Sequence, residues 1–325
     1  MPLKMRIQIV SPGGELQDGQ TRTGNRSTAT QWGRLLSELG HEVAILNAFQ
    51  PGEVELLIAL HGGKSVEAVR SFRKYQPNGK LIVGLAGTDI YPEPDPQTLG
   101  SIAAADGLIA LQEKAIEKVP EEHRSKVAVI LQSAIPFQPA PSKSEDTFDV
   151  SIIGHLREVK APLLLAGASR NLPPESRIRV FQAGDILESP YHDAVRVETE
   201  NNPRYRYLGQ LDRQSTAQLI ASSHVMCMTS VNEGGARVVG EAIVNHTPVL
   251  STYMDGSIGM LGESYPGYFP VGDGDALAEL LWKCESEPEF LSALTDAVST
   301  LAPGYTPEKE RKDLAALLAR VCKSE

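Results

Sequence analysis

Val225-Met226-Cys227-Met228-Thr229 and, two residues further on, Asn232-Glu233-Gly234-Gly235-Ala236-Arg237-Val238-Val239-Gly240-Glu241 form the stretch from which the fold is read. An apolar run of strand length passes through a glycine pair into a helical run that ends near His246. Glu233 precedes that helix and Glu241 is expected two turns along it, so the two carboxylates are not an acid/base pair on one turn. Gly234 and Gly235 carry no side chains. A ligand can therefore approach the backbone N–H groups of Ala236, Arg237 and Val238, where the helix dipole favours an anion. The arrangement suits a phosphate flanked by hydroxyl groups: Glu233 could hold the hydroxyls of a sugar and Glu241 both hydroxyls of a ribose. The alternative is that Glu233 caps the helix and Glu241 is a solvated helix residue.

Outward from this stretch, short apolar runs alternate with amphipathic ones, the pattern of βα units on parallel sheets. Strands are expected near residues 6–10, 42–46, 56–60, 81–86, 107–111 and 127–131, with a clear helical period over 28–39 closed by Gly40. A proline-rich, charged linker follows at residues 136–147. The alternation then restarts, with strands expected at 148–154, 177–183, 204–208, 225–229 and 248–252, and an amphipathic helix over 307–321. The fold class is α/β: two facing Rossmann-like domains, with a cleft between the carboxyl ends of their sheets where ligands of such sheets bind.

Composition limits the function. A chain of 325 residues with 41% hydrophobic content is long enough for two domains with separate cores. A net charge of −10 and a pI near 5.3 argue against nucleic-acid or anionic-membrane partners. Cys227, Cys284 and Cys322 are far apart and pattern neither a disulfide framework nor a zinc site. No apolar run reaches the roughly 18 residues of a membrane span, so the cytoplasm is the expected location.

Several further groups follow predicted strands. Gly154-His155-Leu156-Arg157-Glu158-Val159-Lys160-Ala161-Pro162 comes directly after the first strand of the second half. In the first half, Gly24-Asn25-Arg26 opens the first helix and, with its free N–H groups, forms a second anion site. The loop before it, from residue 11 to 25, is long and glycine-rich and is expected to act as a binding lid. His61-Gly62-Gly63-Lys64 follows the third strand, and Thr88-Asp89 the fourth. A phosphate-binding P-loop would need glycine at position 58, which is Ile58, and Ser11-Pro12-Gly13-Gly14 lacks the dinucleotide pattern G-x-G-x-x-G. Nucleoside triphosphate hydrolysis and dehydrogenase chemistry are thereby disfavoured.

The Glu233 to Glu241 segment resembles the E-x7-E segment of retaining GT-B glycosyltransferases that use nucleotide sugars, and Pro248-Val249-Leu250-Ser251 continues the pattern. That resemblance implies catalytic roles for Glu233, Lys160 and Arg157, the two cations neutralising a departing diphosphate. It implies donor binding by His155, Gly234, Gly235, Ala236, Arg237, Val238, Glu241 and Gly209, and acceptor binding by Gly24, Asn25, Arg26, His61, Thr88 and Asp89. Position 155 departs from the pattern, since relatives carry Arg there. The resemblance also implies an N-terminal acceptor domain over 1–137, completed by a C-terminal helix over 305–325, and a nucleotide-sugar domain over 148–304. The His155 segment and Tyr265-Pro266-Gly267-Tyr268-Phe269-Pro270 are similar, more narrowly, to the selenosugar synthases of bacterial selenoneine biosynthesis. That narrower resemblance implies a UDP-sugar donor, UDP-N-acetylglucosamine foremost, and selenophosphate as acceptor. It also implies functional links to a selenophosphate synthetase and a downstream selenoneine synthase. Cationic side chains and a helix terminus can stand in place of Mg²⁺, so no metal or other cofactor is expected. A transferase with another acceptor, a UDP-sugar epimerase or hydrolase, and a non-catalytic binding module remain as alternatives.

Overall fold

The computed structural model describes residues 4–12 and 24–322. Most of the expected lid over 11–25, including Gly13, Gly14 and Gly19, lies outside the described residues. The chain divides into two compact units, Met1–Gln132 with Pro307–Glu325, and Ser133–Thr306.

The first unit is built on β1 (Arg6–Val10), β2 (Glu42–Leu46), β3 (Leu56–Leu60), β4 (Lys80–Leu85), β5 (Gly107–Ala110) and β6 (Val127–Val129). These form one parallel sheet in the order β2-β1-β3-β4-β5-β6. Strand β3 is buried at every position, as expected of a central parallel strand covered on both faces. On one face, Trp32, Leu35 and Leu36 of the helix Gly24–Glu38 share a core with Ile7, Ile9 and Ile58. Leu314, Leu317, Leu318 and Val321 of the helix Pro307–Cys322 join the same core. Burying those four aliphatic side chains contributes about 6–12 kcal/mol as an upper bound. The buried Glu310 carboxylate adds direction, accepting hydrogen bonds from Gln31 Nε2 (2.5 Å) and Trp32 Nε1 (3.0 Å).

The second unit contains β7 (Phe148–Ile153), β8 (Ile178–Ala183), β9 (Tyr205–Tyr207), β10 (Val225–Met228), β11 (Val249–Thr252) and β12 (Tyr268–Phe269). Its parallel sheet runs β12-β11-β10-β7-β8-β9. Counted within the unit, this is the doubly wound order 3-2-1-4-5-6 of nucleotide-binding sheets, with its switch point between β7 and β10. The first unit instead reverses direction between β1 and β3, as flavodoxin-like sheets do. Both are α/β, but they are not copies of one topology. The two-residue β12 escapes any strand pattern in the sequence.

Candidate functional site

In the second unit the predicted motifs meet at the switch point. Gly154 to Lys160 follows β7, and Asn232 to Ala236 follows β10, the neighbouring strand. The two loops are tied together: Val231 N–H donates to the Val159 carbonyl (2.8 Å), and Thr229 Oγ1 donates to the Lys160 carbonyl (2.8 Å). Lys160 ends a single 3-10 turn, Glu158–Lys160, which Ala161 closes at φ +41°. This places the Lys160 ammonium in a hydrogen-bonded ion pair with the Glu233 carboxylate. The two side chains are 21% and 15% exposed, so the pair is partly withdrawn from water but still reachable. A cavity beside it is lined by Gly154, Lys160, Gln182, Thr229 and Ser230.

The helix after Glu233 runs from Arg237 to Val244 with Ala236 at its N-cap, and no side chain caps it. Glu241 therefore lies little more than one turn along, not two. It is not solvated either: its side chain is 18% exposed and pairs with Arg237 Nε at 3.3 Å. Burial pushes its carboxyl pKa up, against the opposing pull of Arg237. Gly234 is buried, while Gly235, Arg237 and Val238 are half-buried.

His155 is half-buried, and its Nδ1 accepts a hydrogen bond from the Asp185 amide at 3.1 Å. Burial holds its pKa below the usual imidazole value, although Asp185 pulls the other way. Gly184 makes this contact possible. It adopts φ +151°, and a Cβ there would lie 1.9 Å from the Gly154 carbonyl oxygen. Gly209, after β9, adopts φ +68° and accepts from the Gly184 amide at 2.9 Å. Arg157 is half-buried at the start of the Lys160 turn, and its guanidinium forms no ion pair with a carboxylate among the described residues. Gly256 is another requirement, since a Cβ there would sit 2.2 Å from the Glu233 carbonyl oxygen. Nothing in the sequence pattern marked Gly184, Asp185 or Gly256.

The first unit assembles His61, Thr88 and Asp89 where β3 and β4 end. His61 is buried with φ +69°, a conformation non-glycine residues rarely adopt. Its Nε2 lies 2.9 Å from Thr88 Oγ1. Asp89 differs from the expected ligand-binding role: its carboxylate is fully buried and accepts from the amides of Gly62 (2.9 Å), Ala86 (3.0 Å) and Gly87 (2.7 Å). It stands behind the site and knits its two loops together. Gly24, Asn25 and Arg26 form the first turn of the helix that follows β1. Among the described residues, no cluster of three or more His, Cys, Asp or Glu side chains could hold a metal ion, and no helix is long and apolar enough to cross a membrane.

Two parallel six-stranded α/β units of this kind constitute the GT-B fold, and solved structures agree. Anabaena HepE in complex with UDP-glucose matches with a TM-score of 0.76 at 15% identity, over 97% of this chain and 99% of that one. A glycosyltransferase from Rickettsia africae matches with a TM-score of 0.77 at 14% identity, over 99% and 100%. The sucrose-phosphate synthase of Thermosynechococcus elongatus gives the same values. At such identities the likeness is one of fold. The family described as "Glycosyl transferases group 1" matches residues 135–298, just over half of the chain, and the protein belongs to that family. No curated protein sequence matches it significantly.

Proposed function

We propose that the protein transfers a sugar, N-acetylglucosamine foremost, from its UDP donor to selenophosphate, giving a 1-seleno sugar for selenoneine biosynthesis. The observation that carries the donor half is the Lys160–Glu233 pair at the switch point, beside an uncapped helix start. Lys160, Arg157 and the amides around Ala236 stabilise the departing diphosphate, Glu233 holds sugar hydroxyls, and Glu241 takes the ribose. His155 and the Gly209 backbone complete the donor site. The fold shared with HepE, which has been solved with UDP-glucose, supports a nucleotide-sugar donor.

The acceptor half rests on Asn25, Arg26, His61 and Thr88 and on the narrower sequence resemblance. Selenophosphate is anionic at neutral pH and its selenium is polarisable, so it needs no base. Selenium bonds to the anomeric carbon as the bond from that carbon to the diphosphate oxygen breaks. Water then cleaves the selenium–phosphorus bond, releasing phosphate and the seleno sugar. The work left to the protein is positioning and charge stabilisation.

Incubation with UDP-N-acetylglucosamine and selenophosphate, read by mass spectrometry, is expected to yield UDP and a sugar–selenium product. Formation of neither refutes the proposal, and thiophosphate in place of selenophosphate tests the selenium requirement. Sugar released or isomerised without any selenium donor would favour the hydrolase or epimerase alternative.

A further inference from the structure

The loops after β3 and β4 hold a chain of hydrogen bonds whose direction can be assigned atom by atom. A backbone N–H can only donate, so the Lys64 amide, 3.3 Å from His61 Nδ1, makes that nitrogen an acceptor. A neutral imidazole carries one proton, which then sits on Nε2. Nε2 is 2.9 Å from Thr88 Oγ1, so the ring donates and the hydroxyl accepts. The Thr88 hydroxyl keeps its own proton to give elsewhere. Thr88 is exposed, whereas His61 behind it is only 6% exposed.

The surroundings do not allow the chain to be reversed. Asp89 Oδ2 is 4.0 Å from Nδ1, beyond hydrogen-bonding range, and both Asp89 oxygens are occupied by backbone amides. Asp89, Lys64 and Asp95 are the charged groups acting on the ring. Burial outweighs the two carboxylates and holds the His61 pKa below the ordinary imidazole value. The backbone adds a second sign of construction. A left-handed φ at a residue other than glycine persists only where its surroundings demand it.

We propose that Thr88 is the outward hydrogen-bond donor to an anionic oxygen of the acceptor, and that His61 is a positioning residue which orients it and is not a base. The site would then select acceptors that arrive already ionised, with no proton to lose, as phosphate-type nucleophiles do. A neutral hydroxyl acceptor would find no base in His61 or Asp89, because His61 Nδ1 is engaged by the Lys64 amide and Asp89 is saturated. This inference rests on the acceptor half of the proposed function and gives it a chemical class.

The test uses the full chain and four variants: Thr88→Val, Thr88→Ser, His61→Gln, which keeps an N–H near the Nε2 position, and His61→Leu. Thr88 is exposed, so Thr88→Val carries the test even if a His61 variant fails to fold. Thr88→Val is expected to raise the KM for selenophosphate and weaken binding of inorganic phosphate by about tenfold or more, as loss of a hydrogen bond to a charged group does. The donor KM should stay within about twofold, since Thr88 is not asked to touch the donor. Thr88→Ser and His61→Gln should recover most of the affinity, and His61→Leu should resemble Thr88→Val. Nitrogen NMR of labelled histidine should find His61 protonated at Nε2. A proton on Nδ1, or a Thr88→Val protein with unchanged phosphate binding, overturns the inference. Because inorganic phosphate and NMR need no turnover, wild-type protein that makes no seleno sugar would count against the proposed function alone.

Discussion

Separating Lys160 from Glu233 should push donor binding and chemistry in opposite directions. At contact distance and an effective dielectric of about 20, two unit charges attract by roughly 4 kcal/mol. Side chains that are 21% and 15% exposed lose part of that gain to desolvation and screening. A net coupling of about 1–2 kcal/mol is expected, between the values for exposed and fully buried pairs. A double-mutant cycle with Lys160→Met, Glu233→Gln and both together measures it, with hydrogen-exchange mass spectrometry reading the second unit locally. The functional arm is sharper. Lys160→Met removes a cation from the diphosphate and should weaken UDP by about 10–100-fold in calorimetry. Glu233→Gln releases Lys160 from its internal partner, so UDP affinity should hold or rise while turnover falls by roughly a hundredfold. If Glu233→Gln weakens UDP as much as Lys160→Met does, the pair is a folding element and the reasoning fails.

Glu310→Ala should destabilise the first unit by about 2–4 kcal/mol, because it strips the buried Trp32 indole N–H and the Gln31 amide of their carboxylate partner; a loss below about 0.5 kcal/mol in chemical denaturation would refute this. Gly184→Ala forces a Cβ onto the Gly154 carbonyl, and should cost about 2 kcal/mol or more and weaken UDP through the displaced His155 loop; unchanged UDP affinity would detach His155 from the donor site. His61, His155 and His224 all have pKa values held below the ordinary 6.5 by burial, so below pH 6.5 the unfolded chain binds more protons than the folded one. Their contribution is complete above pH 6.5 and is lost as pH falls through the folded-state values. Glu241, whose pKa is raised, works the other way: its contribution is present at low pH and is lost as pH rises through its folded-state value. Denaturation midpoints between pH 7.5 and 5.5, taken as roughly the range where histidines titrate, should fall on acidification, and Glu241→Gln should steepen the fall.

The uneven legibility of this protein in its sequence has a physical cause. Central parallel strands are covered on both faces, so Leu56–Leu60 and Val225–Met228 appear as unbroken apolar runs, and the sheets follow from spacing alone. Burial of single polar groups leaves no such trace. Whether Glu241 is solvated or shielded depends on how closely the rest of the unit packs over the helix Arg237–Val244, which its own neighbours do not determine. Asp89 shows the limit most clearly. As a carboxylate beside a threonine after a strand it reads as a ligand contact, and only the folded loops reveal that the amides of Gly62, Ala86 and Gly87 consume its lone pairs. The Lys160–Glu233 pair joins residues 73 apart, so its existence depends on β7 and β10 being neighbours, a fact of sheet order and not of local pattern. The glycines divide along the same line. Gly234 and Gly235 stand out because a helix begins beside them, while Gly184 and Gly256 are required by a carbonyl from another loop. Chemistry that sits at one strand end can therefore be named from sequence, whereas the direction in which it acts, donor or acceptor, paired or released, is set by contacts between strand ends.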